Sequence, residues 1–282
     1  VSEYLGNFIV NSTGGKFDTL AEAINNSAAE DIIYVMEGTY SGFGYAAGNI
    51  VGKKLTIIAL GDVVFDQSTT NLGFINTTGD SDITICNAVF TGFKTNYKNA
   101  VFFNRGNLTL DGCAFANNTL GEDSDTIEFK AFIYNEGNLN IVNSEFYDNN
   151  IYHTYLVTSK SDIIINESTF ENNTIDSWGR LINITNANSA KVISTEFVEN
   201  TLGSGEVISV ERCNDVLINA EFYDNTKGWG IFARNNSNLN IENSIFTGNS
   251  FSRIIETRNN VQNSISGCTF SNNTVNYIVL SE

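Results

Sequence analysis

Along most of this chain, apolar, small and amide side chains return at fixed offsets. Eight segments carry the pattern: NAVFTGF (87–93), GCAFANN (112–118), NSEFYDN (143–149), ESTFENN (167–173), STEFVEN (194–200), NAEFYDN (219–225), NSIFTGN (243–249) and GCTFSNN (267–273). Their phenylalanines are Phe90, Phe115, Phe146, Phe170, Phe197, Phe222, Phe246 and Phe270, spaced 25, 31, 24, 27, 25, 24 and 24 residues apart, with Phe65 lying 25 before the first. Three residues after the Phe stands Asn118, Asn149, Asn173, Asn200, Asn225, Asn249 or Asn273; Phe93 interrupts that column in the first copy. Five residues before it the side chain is aliphatic: Ile85, Leu110, Ile141, Ile165, Val192, Leu217, Ile241, Ile265. Two before it the side chain is small: Ala88, Cys113, Ser144, Ser168, Thr195, Ala220, Ser244, Cys268.

The run before each Phe, such as LTLDGCAF (108–115), alternates with a period of two, and so reads as strand rather than helix. A second short run begins roughly 15 residues before the Phe: VFFN (101–104), FIYN (132–135), YLV (155–157), LINI (181–184), VISV (207–210), IFA (231–233) and RIIE (253–256). Two short strands per repeat predict one coil of a parallel β-helix. The competitor at this period, the leucine-rich repeat, requires an L-x-x-L-x-L-x-x-N signature that is missing. Identical side chains then stack about 4.8 Å apart on successive coils. A buried column of Asn can satisfy its amides along such a stack, so the Asn column reads as structural. Asn and Gly at the corners tolerate left-handed backbone angles.

The ends differ from the middle. FDTLAEAINNSA (17–28) places Phe17, Leu20, Ala23 and Ile24 on one helical face, with Asp18 or Thr19 as N-cap. This short helix is expected to lid the first coil, ahead of strand-like DIIYVMEGTY (31–40) and KKLTIIALG (53–61). No matching cap follows the last repeat, since NYIVLSE (276–282) begins another first strand. A bare coil end exposes strand edges, so the natural protein is expected to continue past Glu282 or to pair there. The prediction is all-β: one solenoid domain over 1–282, about ten coils of 24–27 residues, regular over 83–282, as a fragment of a longer surface protein.

Composition narrows the function classes. The 282 residues carry 32 acidic and 15 basic side chains, a formal charge of −17. That balance argues against nucleic acid and anionic membrane as partners, since both need clustered cations. No apolar run approaches the ~18 residues of a membrane span, so no membrane insertion of this segment is expected. Hydrophobic residues at 41% can build a core; proline is absent and Asn reaches 42.

These repeats resemble a known group. The F-x-x-N motifs resemble those of chlamydial polymorphic membrane proteins and, more closely, the Asn-rich adhesin-like surface proteins of methanogenic archaea. The chlamydial G-G-A-[ILV] half is not matched; those positions read NAVF (99–102), KAFI (130–133) and WGIF (229–232). The opening is similar to pectin-lyase-like folds, where a helix precedes D-x-I-x-V-x-x-G-x-Y, here Asp31, Ile33, Val35, Gly38 and Tyr40. The resemblance covers essentially the whole chain. It implies a right-handed parallel β-helix displayed outside the cell, attached through parts beyond this segment, and used to adhere to a surface glycan or surface protein of another cell.

Candidate chemistry is sparse. A pectin-lyase-like enzyme would need converging carboxylates with basic residues; the only His, His153, has no second His for a zinc spacing. Asp148, Glu199 and Asp224 share a column two residues after the Phe, and a carboxylate pair can serve glycoside hydrolysis. They fall in the Asn-rich corner, where a solvated turn is the better reading. No catalytic residue, metal or cofactor is therefore assigned. Cys86, Cys113, Cys213 and Cys268 are expected to be free thiols, with Cys113 and Cys268 buried as small fillers. One stripe suggests binding. Counting 17 back from each Phe gives Lys98, Phe129, His153, Arg180, Gly205, Trp229 and Arg253; counting 19 back gives Trp178 and Lys227 among others. Aromatic plates beside cations suit sugar rings and uronic acids. Trp178, Arg180, Trp229 and Arg253 are the expected ligand-binding set, with His153 and Lys227 peripheral and the acidic insertion TLGEDSDTIE (119–128) alongside. The rivals are a polysaccharide lyase or glycoside hydrolase on the same scaffold, and a passive stalk.

Overall fold

The computed structural model describes residues 8–11, 16–42, 47–68, 73–95, 100–121, 131–176 and 179–281. The chain winds into a parallel β-solenoid, as the repeat predicts, of about nine turns rather than the ten expected. One coil shows the plan. Tyr155–Ser159 lies in a ten-stranded sheet, Ile163–Asn166 and Thr169–Glu171 in a seventeen-stranded sheet, and Thr174–Ile175 in a five-stranded sheet. The sequence reading resolved the first two walls only. The third consists of five two-residue strands, four of them marked by a buried apolar residue five past the Phe (Leu120, Ile151, Ile175 and Leu202), while Lys94–Thr95 carries Thr95 there.

The Phe column is the spine of the core. Residues Phe65 to Phe270 pair in unbroken register, and their rings stack at 4.5–5.4 Å with planes within 20°. Tyr40 extends the column, paired with Phe65. The 31-residue spacing leaves this register untouched, since Phe115 still pairs with Phe146. The acidic insertion beyond Gly121 lies outside the described residues.

The Asn column is a closed hydrogen-bond ladder. Asn118, Asn149, Asn173, Asn200, Asn225 and Asn249 are fully buried. Each Nδ2 donates to the Oδ1 of the next coil's Asn at 2.9–3.0 Å and to the carbonyl of the previous coil's Phe at 2.7–3.1 Å. From Asn149 onward each Oδ1 also accepts the backbone N–H of the preceding Asn. Phe93 interrupts the side-chain column, yet its N–H still donates to Asn118 Oδ1 at 3.0 Å. The residue before each ladder position is left-handed, with φ of 52–55° at Asn117, Asp148, Asn172, Glu199, Asp224 and Asn272 within that range. Asn and Asp tolerate that region better than most residues. A second ladder escaped the sequence reading: Thr77, Asn104, Asn135 and Ser159 form a buried side-chain chain at 2.6–2.8 Å along the ten-stranded sheet.

The capping helix is shorter than 17–28, spanning Leu20–Asn26. Thr19 is the N-cap, accepting the Glu22 N–H at 3.1 Å, and Phe17, Leu20, Ala23 and Ile24 are buried against the first coil. Lys53 Nζ closes the other end, donating to the Ile24 and Ser27 carbonyls at 2.6 and 2.9 Å, where a cation complements the helix dipole.

Two positions correct the repeat alignment. Leu217 does not occupy the aliphatic column: it pairs with Lys191 and is half-buried, while Ile218 pairs with Val192 and is fully buried. The cause is a residue missing from the Val216–Tyr223 coil: the neighbouring coils carry a left-handed residue between the aliphatic and small positions (Glu167, Ser194 and Asn243), and nothing stands opposite Ser194 between Asn219 and Ala220, so the register shifts by one. Cys113 is buried as expected, but Cys268 is only partly buried; all four thiols are free.

Asn200→Ala is expected to cost about 3 kcal/mol, because it strands buried donors and acceptors on two coils. Asn172→Gly, one residue before a ladder Asn but exposed at a left-handed turn, should change stability by less than ~1 kcal/mol. Chemical-denaturation midpoints would compare them. By the same measurement Ile218→Ala should lose about 3 kcal/mol and Leu217→Ala less than ~1 kcal/mol. The reverse order would restore the unshifted alignment.

Candidate functional site

All six arginines of the chain lie in strands of the ten-stranded sheet or one residue past their ends: Arg105, Arg180, Arg212, Arg234, Arg253 and Arg258. Two columns on the sheet's outer face organise them. The first is Tyr155, Arg180, Glu206, Trp229, Arg253 and Tyr277, in direct register on successive coils. The second is Asn49, Asn76, Phe103, Tyr134, Thr158, Asn183, Ser209, Phe232 and Glu256.

The candidate stripe is thus partly assembled by the fold. Arg180, Trp229 and Arg253 share one column, with Arg180 and Arg253 three coils or about 14 Å apart. Counting back from the Phe fails at the other coils, because the residue in register lies 15 positions before Phe170 (Tyr155) and 16 before Phe222 (Glu206). His153 and Gly205 therefore stand outside the column. His153 is an exposed left-handed corner residue whose Nε2 sits 3.1 Å from Asp176 Oδ2. Lys227 occupies the matching corner before Trp229, exposed, with φ of 62°. Trp178, Lys98 and Phe129 lie outside the described residues.

Acidic partners on this face were not foreseen. Arg180 pairs with Glu206, donates to Tyr155 Oη at 2.9 Å, and covers the Tyr155 ring at 5.0 Å. Arg253 pairs with Glu256 and lies 5.4 Å over the Trp229 ring, which meets Phe232 edge-on at 5.4 Å. Arg258 pairs with the other Glu256 oxygen at 2.5 Å. Arg234 pairs with Glu211 at 2.8 Å, and Arg234 and Arg258 flank Phe232 at 5.6 and 5.7 Å. Glu206 and Glu256 are buried, at 4% and 0% exposure, so these pairs are fixed planar plates rather than waving side chains. The Thr158 and Ser209 hydroxyls in the second column are buried without a hydrogen-bond partner.

Two carboxylates of this sheet are driven in opposite directions. Burial pushes the Glu206 carboxyl above its ordinary range, although Arg180 pulls it down. Burial also raises Glu211, but hydrogen bonds from Asn235 and Arg234, and the nearby Arg212, outweigh it and leave the group below its ordinary value.

The carboxylates weighed for catalysis stand along one corner column, Glu199 and Asp224 on adjacent coils. Asp148, Glu199 and Asp224 are exposed residues of the left-handed corner, as a solvated turn requires. A different hollow of about 260 Å³ on the seventeen-stranded sheet is lined by Glu145, Tyr147, Thr169, Glu171 and Glu196. Among the described residues no three His, Cys, Asp or Glu side chains are placed to hold a metal ion, and no helix is long and apolar enough to cross a membrane. No family model, curated protein or solved structure matches the chain.

Because its pKa is raised on folding, Glu206 contributes stability that is complete below the ordinary carboxylate range and lost as pH rises through the raised value. Glu206→Gln should therefore match the parent in acid and become relatively more stable toward neutral pH. Arg180→Gln should move the Glu206 titration further up in carboxyl NMR, since an unpaired buried charge is costlier than a paired one. A downward shift would show that Arg180 does not act on this carboxyl.

Proposed function

We propose that this chain is a non-catalytic, adhesive segment of a cell-surface protein, and that the outer face of its ten-stranded sheet binds carbohydrate. The observation that carries the reading is the concentration of all six arginines with Tyr155, Trp229, Phe232 and Tyr277 on one flat, regular face of a chain whose net charge is −17. Tyr, Trp and Arg are the residue types that dominate binding hot spots. The arginines Arg180 and Arg253 are already paired with glutamates, so the column offers planar hydrogen-bonding edges beside ring faces. Such a surface suits hydroxyl-rich sugar rings better than a densely anionic polymer. A repeat near 4.8 Å lets one extended chain meet several coils, and weak contacts add up on a crowded surface. The resemblance of the F-x-x-N repeats to archaeal adhesin-like proteins supports the extracellular setting.

The hollow lined by Glu145, Glu171 and Glu196 is where a hydrolytic reading would place its chemistry. The two readings predict different outcomes. On a glycan array or in a cell-adhesion assay, the Trp178→Ala/Trp229→Ala variant is expected to lose about tenfold in binding while keeping its strand circular dichroism. Adhesion equal to the parent would leave a passive stalk. Release of reducing sugar, abolished by Glu171→Gln, would replace the adhesin with an enzyme.

A further inference from the structure

At the N-terminal end of the same sheet the two outer columns change character. The first column there holds Gly73, Ala100 and Ala131, each two residues before the mutually registered Ile75, Phe102 and Ile133. Further along, the same column holds Tyr155, Arg180, Glu206 and Trp229. Small residues therefore leave a trough on these first coils. On two of them the trough is filled from the second column: Phe103 and Tyr134 pack over Ala100 and Ala131 as one outer apolar cluster, with ring centroids 5.2 Å apart. On the preceding coils the second column carries Asn76 and Asn49, whose amides are too short to fill it. The result is a hollow of about 190 Å³ bounded by Gly48, Asn49, Gly73, Asn76, Ala100 and Phe103.

Its lining states what fits. Drug-sized ligands need ~300–1,000 Å³, so this hollow takes a single ring rather than a chain. One wall is the Phe103 side chain, 7% exposed and backed by Tyr134. The rim is amide. Asn76 Nδ2 donates to Asn49 Oδ1 at 2.8 Å, and Arg105 Nη1 donates to Asn76 Oδ1 at 3.1 Å, which fixes how the two amides are turned. The floor is bare backbone: Gly48 adopts φ of +66° with open space where a Cβ would stand, and a Cβ on Gly73 would come within 3.1 Å of the Ala100 carbonyl. The ring of Phe74 cannot enter, because it turns into the core against Phe65, Phe90 and Phe102.

We infer that this hollow is a binding site for one pyranose ring, its apolar C–H face against Phe103 and its hydroxyls on the Asn49 and Asn76 amides. A purely aromatic guest would use the Phe103 wall and leave the amide rim unemployed. The site lies at the N-terminal end of the sheet, on other coils than the Tyr155–Trp229 stretch, and the inference holds whether or not that stretch binds a polymer.

The register supplies the test. Asn76→Phe places at this position the residue type that the next coil carries there, so the new ring should pack over Gly73 and Ala100 and close the hollow without disturbing the fold. Saturation-transfer NMR with methyl glucoside, methyl mannoside, methyl galactoside and N-acetylglucosamine should show binding of at least one to the parent. Affinity for that sugar is expected to fall by about tenfold or more in Asn76→Phe, to weaken in the rim variant Asn49→Ala, and to stay unchanged in the corner variant Asn172→Gly. Absence of binding by every sugar, or equal binding by parent and Asn76→Phe, would overturn the assignment. So would saturation transfer from phenol alone, since that outcome identifies an aromatic side chain of a partner as the guest. Loss in Trp229→Ala but not in Asn76→Phe would move sugar binding to the column and refute this pocket.

Discussion

The buried carboxamide of the ladder asparagine is the interaction on which the rest of this structure depends. A primary amide has two donors and two acceptor sites, and removing it from water unpaired costs several kcal/mol on scales without compensating bonds, ~1–3 in proteins. From Asn149 to Asn225 the cost is met by partners on the coil before and the coil after. No coil can satisfy its own amide. Register is therefore enforced at one point per turn, and the Phe rings three residues earlier stack because the ladder leaves them no other height.

Register in turn makes the outer face an ordered array. Insertions are absorbed where no ladder passes, as the unbroken pairing of Phe115 with Phe146 across 31 residues shows. A residue's distance from its Phe is thus a poor guide to its column on the ten-stranded sheet, whereas its distance from the nearest inward residue of that sheet is a good one. Glu206, one position off the count, is the clearest instance: it lies directly between Arg180 and Trp229.

The buried glutamates give this face its rigidity at an energetic cost. Glu206 is held among side chains that desolvate it more than Arg180 compensates, which is the usual balance for a buried ion pair. Such pairs are weak sources of stability but fix direction: each guanidinium is set against an aromatic ring, Tyr155 or Trp229. Binding faces gain from that preorganisation, because side chains already ordered lose little entropy when a ligand arrives.

The amino-acid sequence by itself determined the coil. Phe, Asn and small residues recur at offsets no other fold explains, and the lid helix announces itself through Thr19 and the face of Phe17, Leu20, Ala23 and Ile24. Those features are legible because each is a local rule repeated: period-two burial, a cap, an amide that needs a neighbour. What only the tertiary structure decided is which residues meet across coils. The residue missing from the Val216–Tyr223 coil, which exchanges Leu217 for Ile218, the pairing of Arg180 with Glu206, the second ladder through Asn104 and Asn135, and the hollow beside Phe103 all depend on the length of corners between strands. Corner length carries no periodic signal, since a corner residue answers to backbone angle and solvent rather than to a stacked partner. The Phe and Asn columns could be counted from the chain; the surface they hold in place had to be built.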